Sequence, residues 1–185
     1  MPDIALLLIL PLGAVLNRLR GDDWGKPYTS KGAIAALWGV LWGAMAYAVG
    51  HPPLSALYAA VATFCGFWLW AGPGHGAYMG GAIHGRDMRH EREVRWIDEL
   101  IFRIHNPYLW GIAGMALRGL YMAPAFLALS VLNPWAVACV PLTLLQGPVY
   151  WIGGRLWEAG GVRAPELLTG ALWAALTLFA LTPQP

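Results

Sequence analysis

Charge is what this sequence has least of. Asp, Glu, Lys and Arg make up 12% of its 185 residues, against about 25% in a soluble domain. So few charges cannot clothe a globular surface, and the mean hydropathy of +0.51 agrees. The length leaves no room for a large soluble domain beside a membrane one. Cysteine is almost absent as well. Cys65 and Cys139 each fall inside an apolar run, with no CxxC or Cys/His spacing. That excludes a disulfide framework or a zinc finger, and both read as small buried hydrophobes. The first apolar stretch, Ile4 to Leu16, has no positive charge before it; Arg18 and Arg20 come after. A secretory signal has the reverse order, so a retained first helix with its N-terminus outside is expected. Neither HExxH nor GxxxxGK[ST] occurs, which removes the strongest metal-protease and nucleotide motifs.

What is present is a series of apolar runs long enough for a bilayer, which takes about 17–25 helical residues. Six spans are expected, at about 3–17, 32–50, 53–72, 108–132, 134–153 and 165–182. The first is short and holds Pro11; the fifth holds Pro141 and Pro148. Either can be tilted or re-entrant. The fold class expected is all-α, a polytopic membrane helix bundle.

The cations fix an orientation. Eleven of the twelve Lys and Arg residues lie in three segments. These hold Arg18, Arg20, Lys26 and Lys31; Arg86, Arg89, Arg92, Arg95 and Arg103; and Arg155 and Arg163. The turns Gly50-His51-Pro52-Pro53 and Leu132-Asn133-Pro134 hold none. The positive-inside rule puts the basic connections in the cytoplasm and both termini in the periplasm. The external side is then nearly featureless, so function is expected on the cytoplasmic face.

Within that frame, Gly39 and Gly43 form a GxxxG pair suited to close helix approach, and Gly111 and Gly114, three apart, can serve the same end. Trp24, Trp68, Trp70, Trp96, Trp110, Trp151 and Trp157 fall near the basic boundary, as an interfacial aromatic belt would. Residues from about 86 to 104 carry Ile97, Leu100, Ile101 and Ile104 at helical spacing. They read as an amphipathic helix lying in the headgroup region.

Candidate chemistry gathers in that central segment. Gly72-Pro73-Gly74-His75-Gly76 is a glycine-rich exit from the third span. His84, Asp87 and Glu91 share one side of a helix, and His75 can fold back toward them. One or two histidines with two carboxylates suit a divalent metal. The same carboxylates have Arg neighbours three or four residues away, and helix-surface ion pairing accounts for them equally. His75, His84, Asp87 and Glu91 are therefore the candidates for metal ligation or proton transfer. Arg18, Arg20, Arg118 and Arg155 are the candidates for an anionic group. Arg118 is the sharpest of these, because it falls inside the fourth span. A charge there costs about 2.5–3.5 kcal/mol unless compensated. Three readings stand: an ion pair inside the bundle with Asp22, Asp23, Glu158 or Glu166; an anion or lipid-headgroup site; or snorkelling to the edge.

Four stretches, Leu16-Asn17-Arg18-Leu19-Arg20-Gly21, Gly72-Pro73-Gly74-His75-Gly76-Ala77-Tyr78-Met79, Leu117-Arg118-Gly119-Leu120 and Gly147-Pro148-Val149-Tyr150-Trp151-Ile152-Gly153, carry a resemblance. They resemble small polytopic membrane proteins encoded by tailed phages and proteobacterial prophages, in order along most of the chain. The resemblance implies a bacterial inner-membrane setting and phage encoding, and assigns no catalytic residue. Two functions follow as expectations. One is a protein that binds lipid, another membrane protein or itself, such as a phage factor acting on the host envelope. The other is a membrane enzyme acting on a phosphate-bearing lipid or isoprenoid. The first is favoured because no catalytic signature stands alone. No nucleic-acid partner is expected.

Overall fold

The computed structural model describes residues 28–72, 107–160 and 164–182. Among these every regular element is helical: α1 (Tyr28–Ala48), α2 (Pro53–Ala71), α3 (Pro107–Gly119), α4 (Ala123–Leu129), α5 (Cys139–Leu142), α6 (Gln146–Gly160) and α7 (Ala164–Leu181). Three continuous stretches are long and apolar enough to cross a membrane, Pro53–Ala71, Ile112–Leu129 and Pro134–Leu156. Gly32–Ala48 and Leu167–Leu181 are shorter apolar helices. The described residues thus support five apolar helical stretches and not six. The first expected span, 3–17, and the amphipathic helix, 86–104, lie outside the described residues.

The breaks inside the long stretches have a common cause. A helical Pro lacks an N–H and its ring crowds the carbonyl four residues earlier. Pro124 is preceded by a 3-10 turn at Leu120–Met122, Pro141 by one at Pro134–Ala138, and Pro148 by one at Thr143–Leu145. Each turn tightens the chain where the proline spoils the α pattern, and helical dihedrals continue through it. In an apolar medium the backbone has no other donor or acceptor, so it stays helical. The Pro-containing fifth stretch, expected to be tilted or re-entrant, is therefore a continuous helical run from Pro134 to Leu156. It also runs past residue 153 to Gly160, because Arg, Leu, Glu and Ala are good helix formers. Arg155 stands on that helix and not in a loop.

The elements pack as antiparallel neighbours. Gly50 takes φ +99, and the Gly50 and His51 N–H groups donate to Tyr47 and Ala46 carbonyls at 3.0 Å each. This closes α1 in the paired-bond cap that glycine permits. Pro52 and Pro53 then start α2. Gly39 and Gly43 face α2 as their spacing predicts. A Cβ at Gly39 would sit 2.7 Å from the Ala60 carbonyl oxygen, and one at Gly43 would sit 2.7 Å from Ala60 Cβ. Further along, Gly66 on α2 faces Ala125 on α4, and the Tyr58 hydroxyl donates to the Ala128 carbonyl at 3.0 Å. Gly119 and Gly147 carry the contact between α3 and the 143–147 region, against Thr143 and Ile112 carbonyls.

One end of the bundle collects both cation-free turns. His51 Nε2 lies 2.7 Å from the Leu181 carbonyl oxygen. The Asn133 amide donates to Ala180 and Thr182 carbonyls at 3.1 and 3.0 Å, and its oxygen accepts from the Trp135 N–H at 3.2 Å. Asn133 thus caps one helix start and ties down another helix's orphan carbonyls. Asn133→Ala is expected to cost about 1–3 kcal/mol. The check is a lower thermal midpoint in detergent, with hydrogen exchange at 178–182 rising first; unchanged exchange there would refute the tie. The start of α1, the end of α2, the start of α3, the end of α6 and the start of α7 all lie at the opposite end.

Candidate functional site

The interior is built on a ladder of rings. Trp38 and Trp42, one turn apart on α1, meet edge to face at 5.8 Å between centroids. Trp38 stacks on Phe67 at 4.8 Å, Phe67 leans on Trp70 at 5.1 Å, and Trp70 meets the edge of Trp173 on α7 at 6.0 Å. All five are fully buried. The ladder links α1, α2 and α7 through geometries that aromatic rings prefer. Trp70 therefore belongs to the core and not to the interfacial belt that its place near a helix end suggested. Trp68 and Trp151, partly exposed, keep a position compatible with a belt.

Arg118 comes to this ladder from α3. It is 4% exposed. Its guanidinium carbon lies 4.2 Å from the Trp70 ring centroid, and its Nε donates to the Trp70 carbonyl at 3.3 Å. A desolvated cation–π contact contributes about 2 kcal/mol. A hydrogen bond from a charged donor contributes about 1.5–3 kcal/mol. Together, at about 3.5–5 kcal/mol, they offset the insertion cost of about 2.5–3.5 kcal/mol. The side chain faces the bundle, which corrects the snorkelling reading. Of the expected ion-pair partners, Asp22 and Asp23 lie outside the described residues, as do the side chains of Glu158 and Glu166.

Trp70 also holds Gln146. Its indole N–H donates to Gln146 Oε1 at 2.7 Å, with Gln146 fully buried. That bond orients the amide: a flip would set two donors against each other. Gln146 Nε2 then has no hydrogen-bond partner. The same holds for Trp38, Trp42 and Trp173 Nε1 and for the Thr169 and Thr177 hydroxyls. A buried donor without an acceptor costs about 1–3 kcal/mol, and two of these groups belong to side chains that touch Trp70: Gln146 by its bond and Trp173 by its ring contact.

The other candidates fall elsewhere. Arg155 is exposed, with its guanidinium 5.5 Å from the Trp151 centroid. Nine residues of helix, about 13 Å of rise, separate it from Gln146, so Arg118 and Arg155 do not converge. Arg18, Arg20, His75, His84, Asp87 and Glu91 lie outside the described residues. Among the described residues no three His, Cys, Asp or Glu side chains come together. Cys139 is buried with its thiol 3.4 Å from the Leu176 carbonyl oxygen, but Cys65 is exposed, contrary to expectation. The sequence reading missed Gln146, Trp173 and Thr169. The available signal was a glutamine inside an apolar span, where an amide is costly unless bonded. Set against protein-family models, curated proteins and solved structures, the chain matches none.

Proposed function

We propose that this is a multi-pass protein of a bacterial inner membrane, phage-encoded as the resemblance implies, that binds anionic lipid from its basic, cytoplasmic end. The observation that carries the reading is the two-ended bundle with Arg118 inside it. His51, Asn133 and Leu181 share one end. The segments that carry the basic clusters leave and enter at the other. A buried guanidinium, held on the Trp70 ring and carbonyl, supplies positive charge within the span.

Two measurements test this. Cysteines introduced at Pro52 and at Glu158 are expected to label from opposite sides, with Pro52 reached from the periplasm. Labelling of Pro52 only from the cytoplasm would reverse the orientation. Arg118→Gln is expected to reduce retention of anionic over zwitterionic lipid about tenfold, the loss of one charge-assisted contact. Equal retention by a folded Arg118→Gln protein would remove Arg118 from the reading.

A further inference from the structure

We infer that α3 and α6 form a two-helix arm that swings on a hinge at the turns Leu120–Met122 and Thr143–Leu145, with Trp70 as the latch that holds it closed. α1, α2 and α7 are unbroken α-helices, and the ring ladder joins all three. They make a frame. The other two long stretches, Ile112–Leu129 and Pro134–Leu156, are each interrupted in mid-course by one of those 3-10 turns. The two interruptions lie side by side, because Gly119 faces the Thr143 carbonyl. Pro124 and Pro148 have no N–H for the Leu120 and Leu144 carbonyls four residues earlier. The turns close instead through bonds one residue shorter, from Ala123 to Leu120 and from Gln146 to Thr143. Such bonds have poorer geometry, and a 3-10 stretch in mid-helix often marks a hinge. Both helices are thus weakest at one level of the bundle.

Beyond that level the broken stretches are pinned to the frame. Gly66 lies against Ala125, and the Tyr58 hydroxyl donates to the Ala128 carbonyl at 3.0 Å. The Asn133 amide donates to Ala180 and Thr182, and the Cys139 thiol to the Leu176 carbonyl at 3.4 Å. On the basic side, α3 and α6 are clamped to each other instead. Gly147 lies against the Ile112 carbonyl as Gly119 lies against that of Thr143. With backbone on backbone, the two move as one body. Trp70, the penultimate residue of α2, grips both. Its carbonyl accepts from Arg118 Nε on α3 at 3.3 Å, and its indole N–H donates to Gln146 Oε1 on α6 at 2.7 Å. α6 also packs along α7, and packed helices accommodate domain motion by small sliding. Opening carries Arg118 and Gln146 away from the ring ladder, so access to the interior from the basic end is tied to the latch. Nothing in this device depends on which lipid the protein binds.

Nitroxide labels on the full chain in nanodiscs test this, with Cys139→Ala as background and distances read by pulsed electron resonance. One label sits on Cys65, exposed on α2. The other sits on Ile152→Cys, at an exposed position of α6. A second pair, Cys65 with Val40→Cys on the exposed side of α1, reports the frame. Wild type is expected to give one dominant Cys65–Ile152→Cys distance. Trp70→Phe keeps a ring and deletes the N–H. It is expected to raise the share of a second, longer distance about tenfold, the weight of one lost hydrogen bond. Gln146→Leu breaks the same bond from the arm and should do likewise; it is the variant read if Trp70→Phe does not fold. Adding Pro124→Ala and Pro148→Ala to the latch variant restores the missing N–H groups and should cut that share by about threefold or more. The frame distance should stay constant throughout. A single arm distance in the folded latch variants overturns the arm. So does a frame distance that spreads along with it, because the whole bundle is then loosening. A second distance that the alanines leave unchanged overturns the hinge at these turns.

Discussion

Trp70→Ala is expected to lose about 3–5 kcal/mol of bundle stability, the range for deleting a buried tryptophan. The magnitude follows from what the ring touches. It stands between Phe67 and Trp173 in the ladder, lies under the Arg118 guanidinium, and donates to Gln146. Inside a membrane, helices are held largely by packing and hydrogen bonds, because lipid is as apolar as leucine. Removing the ring leaves a cavity, a guanidinium without its π face and an amide oxygen without its donor. Trp70→Phe separates these parts. It keeps most of the stacking and drops the N–H, so a loss of about 1–3 kcal/mol is expected. Denaturation in mixed micelles, followed by circular dichroism, gives both values. A Trp70→Ala protein as stable as wild type would show that the ladder is not what holds α1, α2 and α7 together.

Gly119→Ala should be the most damaging single-methyl change. An alanine Cβ there would run into the Thr143 carbonyl oxygen and crowd Gln146. Backbone is the obstacle, so no rotamer change relieves it, and α3 must separate from the 143–147 region. Overpacking of this kind costs about 1–3 kcal/mol, and more where nothing can yield. Gly154→Ala is the matched control, since a Cβ there meets nothing within 4 Å. On helix propensity alone it is expected to be neutral or stabilising by up to about 1 kcal/mol. The two substitutions should therefore move the thermal midpoint in opposite directions. A Gly119→Ala midpoint equal to that of Gly154→Ala would mean that the helices do not approach so closely.

Much of the architecture could be read before any coordinate. The ends of α1, α2 and α7 fall within a few residues of the apolar runs, because a nonpolar medium ties hydropathy directly to helix length. Gly39 and Gly43 announced a close crossing, and Ala56 and Ala60 answer it. Helix ends were harder to read where polarity and helix propensity disagree. Residues 153–160 turn polar but stay helical, so Arg155 was placed in a loop. The prolines at 141 and 148 left a tilted or a re-entrant segment open, and 3-10 turns absorb them within one helical run.

The candidate site was legible only in its charge. An arginine within an apolar span stands out in any sequence. That it would lie on Trp70 did not, since 48 positions separate them in the chain. Trp70 was assigned to an interfacial belt from its distance to a helix end. Which side of that helix it occupies decides between belt and core, and that depends on the neighbours of α2.

The sequence alone determined that the chain is helical and apolar, and that its cations segregate from two tight turns. Hydropathy and charge act locally, residue by residue, and need no partner. Tertiary structure alone decided that Trp70, Arg118, Gln146 and Trp173 share one interior. That meeting depends on which side chains face one another across α2, α3, α6 and α7. Pairings between distant segments leave no periodic trace in the order of the residues.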